Sequence, residues 1–169
     1  MFIVSALHQL PVLEATMANT FFQIYIQTVF AVSGRESLIK PDFKEELYKY
    51  ISGIVRNQKQ KLIAINGVSD HVHILIGLRP AMALADLVQQ IKVDSTHFIN
   101  KRNLVHGRFN WQEGYGAFSY GHSQLDAVIR YIRNQEAHHR RHSFKAEYFT
   151  LLRKFDIAFE QKYAFKFIE

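Results

Sequence analysis

Residues 67–78 read Gly67-Val68-Ser69-Asp70-His71-Val72-His73-Ile74-Leu75-Ile76-Gly77-Leu78. Side chains alternate along a strand, so Val72, Ile74 and Ile76 share one face and His71 and His73 share the other, about 7 Å apart. The apolar set points into a layer beneath helices, and the two imidazoles project from the opposite, helix-free face. Asn66-Gly67 is a hairpin-type turn signal, and Lys61 to Ala64 supplies the preceding strand. The stretch is therefore the second arm of a hairpin, Val68 to Leu78.

Working outward, Phe21 to Val32 alternates as a first strand, with Ile24, Ile26, Phe30 and Val32 on one side and Gln23 and Gln27 on the other. Pro41 and Asp42 open a helix whose stripe is Phe43, Leu47, Tyr50, Ile51, Ile54 and Val55. Beyond Pro80, Leu84, Leu87, Val88, Ile91, Phe98 and Ile99 mark a second helix, and Tyr115 to Tyr120 forms a fourth strand. The order βαββαβ predicts an α+β, ferredoxin-like antiparallel sheet. Additional C-terminal helices follow. One spans 124 to about 139, with Ser123 and Asp126 as a capping-box-like start. Another begins at Ser143, with Phe144, Tyr148, Leu151, Leu152 and Phe155 as its stripe. Residues 156–169 carry no assignable pattern.

The chain has 169 residues, 48% of them apolar, and no cysteine. That composition is globular and excludes disulfides and thiol catalysis. Residues 17–169 form a single domain, and residues 1–16, which lack the basic start of a signal peptide, read as a flexible extension before a candidate start at Met17. No apolar run approaches a membrane span. The formal charge of +6 and pI near 9.5 favour a polyanionic partner.

Four constellations carry candidate chemistry. His71 and His73 can share one divalent cation, or be two polar residues on an exposed sheet face. Tyr131 and Gln135 lie one helical turn apart beside the apolar stripe Leu125, Val128, Ile129 and Ile132. They are a nucleophile beside a metal-binding amide, or a boundary tyrosine on an ordinary helix. Arg130, Arg133, Arg140, Arg141 and Lys145, interleaved with His138, His139 and His142, form a phosphate-contacting surface or a solvated charged face. His138 and His142 have zinc-ligand spacing but lack the glutamate of an H-E-x-x-H motif. Phe109, Trp111, Tyr115 and Phe118 either stack on unpaired bases or anchor a loop to the core.

From Phe21 to Phe155 the chain resembles the HUH single-tyrosine transposases, the TnpA-type enzymes of small insertion sequences and their relatives associated with repetitive extragenic palindromes. The resemblance rests on QIYIQTVFAV, GVSDHVHILIGL, WQEGYGAFSY and VIRYIRNQEAHH. It implies that His71 and His73 hold a catalytic Mg2+ or Mn2+, that Gln135 is the third metal contact, and that Tyr131 is the nucleophile. It further implies a cytoplasmic homodimer in which the tyrosine helix of one subunit serves the histidines of the other. The reaction implied is cleavage and rejoining of single-stranded DNA at hairpin-containing element ends through a 5′-phosphotyrosine. A domesticated endonuclease that cuts palindromes and a non-catalytic hairpin binder are the alternatives.

Overall fold

The computed structural model describes residues 21–160; the expected extension at 1–16 lies outside them. Four strands, β1 (Tyr25–Ala31), β2 (Lys61–Gly67), β3 (His71–Gly77) and β4 (Gly116–Tyr120), form one antiparallel sheet in the order β2-β3-β1-β4. Helices α1 (Pro41–Asn57) and α2 (Leu84–Lys101) connect them as the βαββαβ pattern requires. Three further helices, α3 (Leu125–Arg133), α4 (Gln135–His139) and α5 (Phe144–Lys154), complete the described residues.

One face of the sheet presents Phe30 from β1 and Val72, Ile74 and Ile76 from β3, all essentially without exposure. These pack with Leu47, Ile51 and Val55 of α1 and Leu87, Val88 and Ile91 of α2 in one continuous cluster. Each such side chain contributes about 1.5–3 kcal/mol on burial. Within α1 the buried position is Tyr48; Tyr50, expected in the stripe, is exposed and stacks on Phe98 with centroids 4.3 Å apart.

The opposite face is not helix-free. Val29 and Ala31 of β1, Leu75 of β3 and Phe118 of β4 meet Val128 and Ile132 of α3 and Phe144, Tyr148, Leu151 and Leu152 of α5 in a second core. The sheet is thus the middle of three layers, and His71 and His73 are wholly buried rather than displayed on an open surface. The cause is apolar: a face carrying Val29, Ala31, Leu75 and Phe118 loses too much by staying wet, and the C-terminal helices fold back over it.

Three local expectations are also corrected. The hairpin does not turn at Asn66-Gly67, because β2 runs through both residues and the chain reverses at 68–70, with the Val68 N–H donating to the His71 carbonyl at 3.2 Å. Gly67 is needed there for close approach: a Cβ would lie 2.1 Å from the His71 carbonyl oxygen. The expected single helix over 124–139 breaks at Asn134 (φ −93°, ψ 17°). There Asn66 Nδ2 donates to the Arg133 carbonyl at 2.8 Å, drawing that acceptor out of the helical ladder. No side-chain cap from Ser123 starts α3; instead Gln124 Oε1 accepts from the Gly121 N–H at 2.8 Å. Ser143 does cap α5, its Oγ accepting from the Ala146 N–H at 3.3 Å.

Candidate active site

Pairing of β3 with β1 sets His71 opposite Ala31 and His73 opposite Val29, in the middle of the sheet. Both imidazoles therefore enter the layer between the sheet and α3–α5. Asp70 Oδ1 lies 2.7 Å from His71 Nδ1, and Arg35 holds the other oxygen of that carboxylate at 3.1 Å. An ionised carboxylate only accepts, so the proton of His71 sits on Nδ1 and its Nε2 faces inward. The ring stacks on Phe144, with centroids 4.0 Å apart and planes at 19°.

His73 is fixed differently. Its Nδ1 lies 2.8 Å from Gln27 Nε2, and the Tyr120 hydroxyl donates to Gln27 Oε1 at 2.8 Å. Turning the Gln27 amide over, with Tyr120 accepting instead, would put the proton on His73 Nδ1 and free Nε2 as a ligand. Gln27 and Tyr120 thus form a relay that permits either tautomer.

The tyrosine and the glutamine come to these histidines within one chain. The Tyr131 ring lies edge-on to His73, with centroids 5.8 Å apart. Gln135, fully buried, follows one turn later across the break at Asn134. In this chain the tyrosine helix thus faces the chain's own histidines.

The centre of the site is a residue not expected from sequence, Glu147 of α5, whose side chain is 2% exposed. Its Oε1 accepts from the Tyr131 hydroxyl and from Gln135 Nε2 at 3.0 Å. Its Oε2 lies 3.5 Å from His71 Nε2, 3.3 Å from His73 Nε2 and 2.9 Å from His139 Nε2. Burial alone would raise the Glu147 pKa, but the imidazoles of His139, His71 and His73 set against it hold it far below the carboxylate range. For His73 burial dominates and drives the pKa down to about 4. Burial pulls His71 down too, yet its bonds with Asp70 and Glu147 outweigh it and leave the pKa raised. Burial and then the Glu147 charge push the Tyr131 phenol well above its ordinary value, so the hydroxyl is protonated at neutral pH.

The donor set fits a divalent cation. His71 Nε2, His73 Nε2 and Gln135 Oε1 are buried and make no hydrogen bond, and His71, His73, His139 and Glu147 converge with their ligand atoms within 4.8 Å of one another. The apolar stripe of α5 held a sign of Glu147. Position 147 is three residues after Phe144 and four before Leu151, so a carboxylate was placed among core positions.

The remaining candidates separate. Arg130, Arg133, Arg140, Arg141 and Lys145 are all exposed. His138 and His142 stack on each other with centroids 4.8 Å apart. Of the loop aromatics, Phe109, Trp111 and Phe118 are buried core residues, Trp111 Nε1 donating to Ser95 Oγ at 2.8 Å, and Tyr115 alone is exposed. Base stacking by the whole segment is thereby excluded. Among the described residues no helix is long and apolar enough to cross a membrane.

Two solved structures share the fold. A protein from Deinococcus radiodurans R1 described as a candidate transposase aligns with a TM-score of 0.56 at 18% identity, covering 70% of this chain and 95% of that one. A REP-associated tyrosine transposase bound to a REP hairpin aligns with a TM-score of 0.56 at 14% identity, covering 72% of each chain. No curated protein matches the sequence. The family described as "Transposase IS200 like" matches residues 20–135, a span that holds His71, His73, Tyr131 and Gln135 and exceeds half the chain. The chain belongs to the IS200-like transposase family.

Proposed function

We propose that this protein is a transposase that cleaves and rejoins single-stranded DNA beside hairpins through a phosphotyrosine at Tyr131. The observation that carries the proposal is the meeting, in one chain, of a tyrosine hydroxyl, a buried pair of histidines and an unpartnered amide oxygen around one carboxylate. His71 and His73 would hold a divalent cation, Mg2+ or Mn2+ in the family pattern, with Gln135 Oε1 beside them. When bound, that ion offsets the negative charge of the scissile phosphate's non-bridging oxygen.

The protein's own groups do the rest. Glu147 Oε1 already accepts from the Tyr131 hydroxyl and orients Oη for attack; the phenolic proton leaves to water as Oη forms the bond to phosphorus. The bond from phosphorus to the 3′ oxygen breaks, that oxygen takes up a proton, and a 3′-OH and a 5′-phosphotyrosine result. A second 3′-OH attacking the same phosphorus reverses the step without ATP, because the phosphodiester energy is kept in the covalent link. The exposed basic residues would contact backbone phosphates, with Arg130 and Arg133 on α3 and Arg140, Arg141 and Lys145 following it.

A DNA hairpin as partner agrees with the bound state of the REP-associated relative. In a homodimer each subunit would carry its own complete site, acting in the cytoplasm where such DNA is exposed. A denaturing gel for a covalent adduct, on hairpin oligonucleotides with single-stranded flanks, tests the proposal. Metal-independent hairpin binding without any adduct would leave a non-catalytic binder, and adducts without strand joining a palindrome-cleaving endonuclease.

A further inference from the structure

We propose that Glu147 and His139 are ligands of the cation site together with His71 and His73, so that the centre is built of three imidazoles and one carboxylate and selects a transition-metal ion over Mg2+. The proposal rests on the metal-assisted reading above and deepens it. Both added residues lie beyond the span, residues 20–135, that the transposase family shares.

Hydrogen-bond polarity supplies the first argument. His139 Nδ1 lies 2.9 Å from the His142 carbonyl, and a carbonyl only accepts, so Nδ1 donates there and the ring is held with Nε2 turned to Glu147. His71 is fixed in the same sense by Asp70. Both Nε2 atoms are thereby aimed at the same carboxylate oxygen, Glu147 Oε2, at 2.9 and 3.5 Å. In the metal-free protein protons on the imidazoles can satisfy Oε2, and a cation that displaces them would be held by the same atoms. Among the described residues the ion pairs to Glu147 come from His71, His73, His138 and His139, all imidazoles.

Distances supply the second. A tetrahedral ion with ligand bonds of about 2.0–2.2 Å sets its ligand atoms about 3.3–3.6 Å apart. Oε2 stands 3.5, 3.3 and 2.9 Å from the three Nε2 atoms, so small side-chain shifts suffice to admit an ion. The division of labour within Glu147 is the third. Oε2 serves the imidazoles, while Oε1 is held by Gln135 and Tyr131, so one carboxylate joins the cation site to the nucleophile. Imidazoles favour Zn2+, Co2+ and similar ions, whereas Mg2+ wants oxygen donors and retained water.

The test is titration of the full-length metal-free protein with Co2+, Zn2+ and Mg2+, by calorimetry and by the visible absorption of bound Co2+. Wild type should bind Co2+ and Zn2+ at least a hundredfold more tightly than Mg2+, with the intense bands of four-coordinate Co2+. Glu147→Gln and His139→Gln should each weaken Co2+ binding at least tenfold and change those bands, with circular dichroism verifying the fold. The His139 position is on the rim of the site, so that variant stands even if Glu147→Gln fails to fold. Wild-type affinity and bands in both variants, with binding lost in His71→Ala/His73→Ala, would overturn this proposal while leaving the two-histidine site intact. No ion bound by wild type would overturn the metal-assisted reading itself.

Discussion

Replacing Tyr131 by phenylalanine removes one hydroxyl, and two separate quantities should respond. The first is chemistry: with no oxygen nucleophile, the covalent adduct disappears. The second is stability, and its size follows from what Glu147 retains. Gln135 Nε2 stays on Oε1 at 3.0 Å and His139 Nε2 on Oε2 at 2.9 Å, so the carboxylate is not left bare. A hydrogen bond to a charged acceptor contributes about 1.5–3 kcal/mol, and with other donors in place the loss should be about 2 kcal/mol. At about 2–4 °C per kcal/mol for a domain of this size, Tyr131→Phe should melt roughly 4–8 °C below wild type. Tyr120→Phe is the control, because its hydroxyl donates to the neutral Gln27 Oε1. That bond contributes about 1 kcal/mol, or roughly 2–4 °C. Thermal unfolding of the metal-free proteins at neutral pH, beside a denaturing gel on the same samples, reads both quantities. A Tyr131→Phe loss no greater than that of Tyr120→Phe refutes the charged acceptor, and an adduct that survives in Tyr131→Phe refutes the nucleophile.

Calorimetry with Mn2+ should show binding abolished in His71→Ala/His73→Ala and only weakened in Gln135→Ala, since a neutral amide oxygen is the weakest donor present; equal losses would contradict that ranking. Metal-free stability should peak near pH 6.5. Burial lowers His73 from 6.5 to about 4, so the unfolded chain binds a proton the folded one refuses, and about 3 kcal/mol is lost as the pH falls through that window. His71, pulled down by burial but raised overall by Asp70 and Glu147, acts oppositely: its contribution is present below pH 6.5 and lost as the pH rises through its raised pKa. Urea unfolding at about pH 4.5, 6.5 and 8 checks both signs, and a steady rise up to pH 8 would contradict the second. Gly67→Ala should cost more than about 3 kcal/mol, beyond ordinary overpacking, because its Cβ would strike the backbone of His71; an unchanged denaturation midpoint would count against the close approach. Finally, one labelled sequence should be cut faster as a hairpin with single-stranded flanks than when annealed to its complement, with affinity falling steeply in salt; faster cutting of the duplex would overturn the substrate reading.

The sheet and its first helical layer were legible because strand and helix periods differ and each period buries a distinct set. Phe30 with Val72, Ile74 and Ile76 could only be an inner face. The second layer was legible in principle and misread. Val29, Ala31 and Leu75 occupy the face assigned to solvent, and an unbroken apolar run such as Val29 to Val32 marks a strand covered on both sides. The turn was misplaced because Asn-Gly is a local signal, whereas the register places Gly67 opposite Val72 at a close backbone crossing. Spacing singled out the histidine pair, the tyrosine and the glutamine as candidates, and the family resemblance supplied the roles proposed for them. Glu147 was missed although its place among the core positions of α5 marked it, because the meeting with the imidazoles of β3 and α4 is tertiary and nothing within residues 144–154 announces it.

The position of Glu147 also sets a sequence of events during synthesis. The ribosome releases the sheet and its paired histidines first, the tyrosine helix next and α5 after them, and domains acquire structure as they emerge. A chain halted before residue 144 would have the nucleophile and the imidazoles but not the carboxylate that links them, nor Phe144 and Tyr148 to close the second core. Premature termination would then yield an inert product rather than an unregulated nicking activity. Under the proposed strand-cleaving reaction, competence that arrives only with α5 is a safeguard written into the order of the chain.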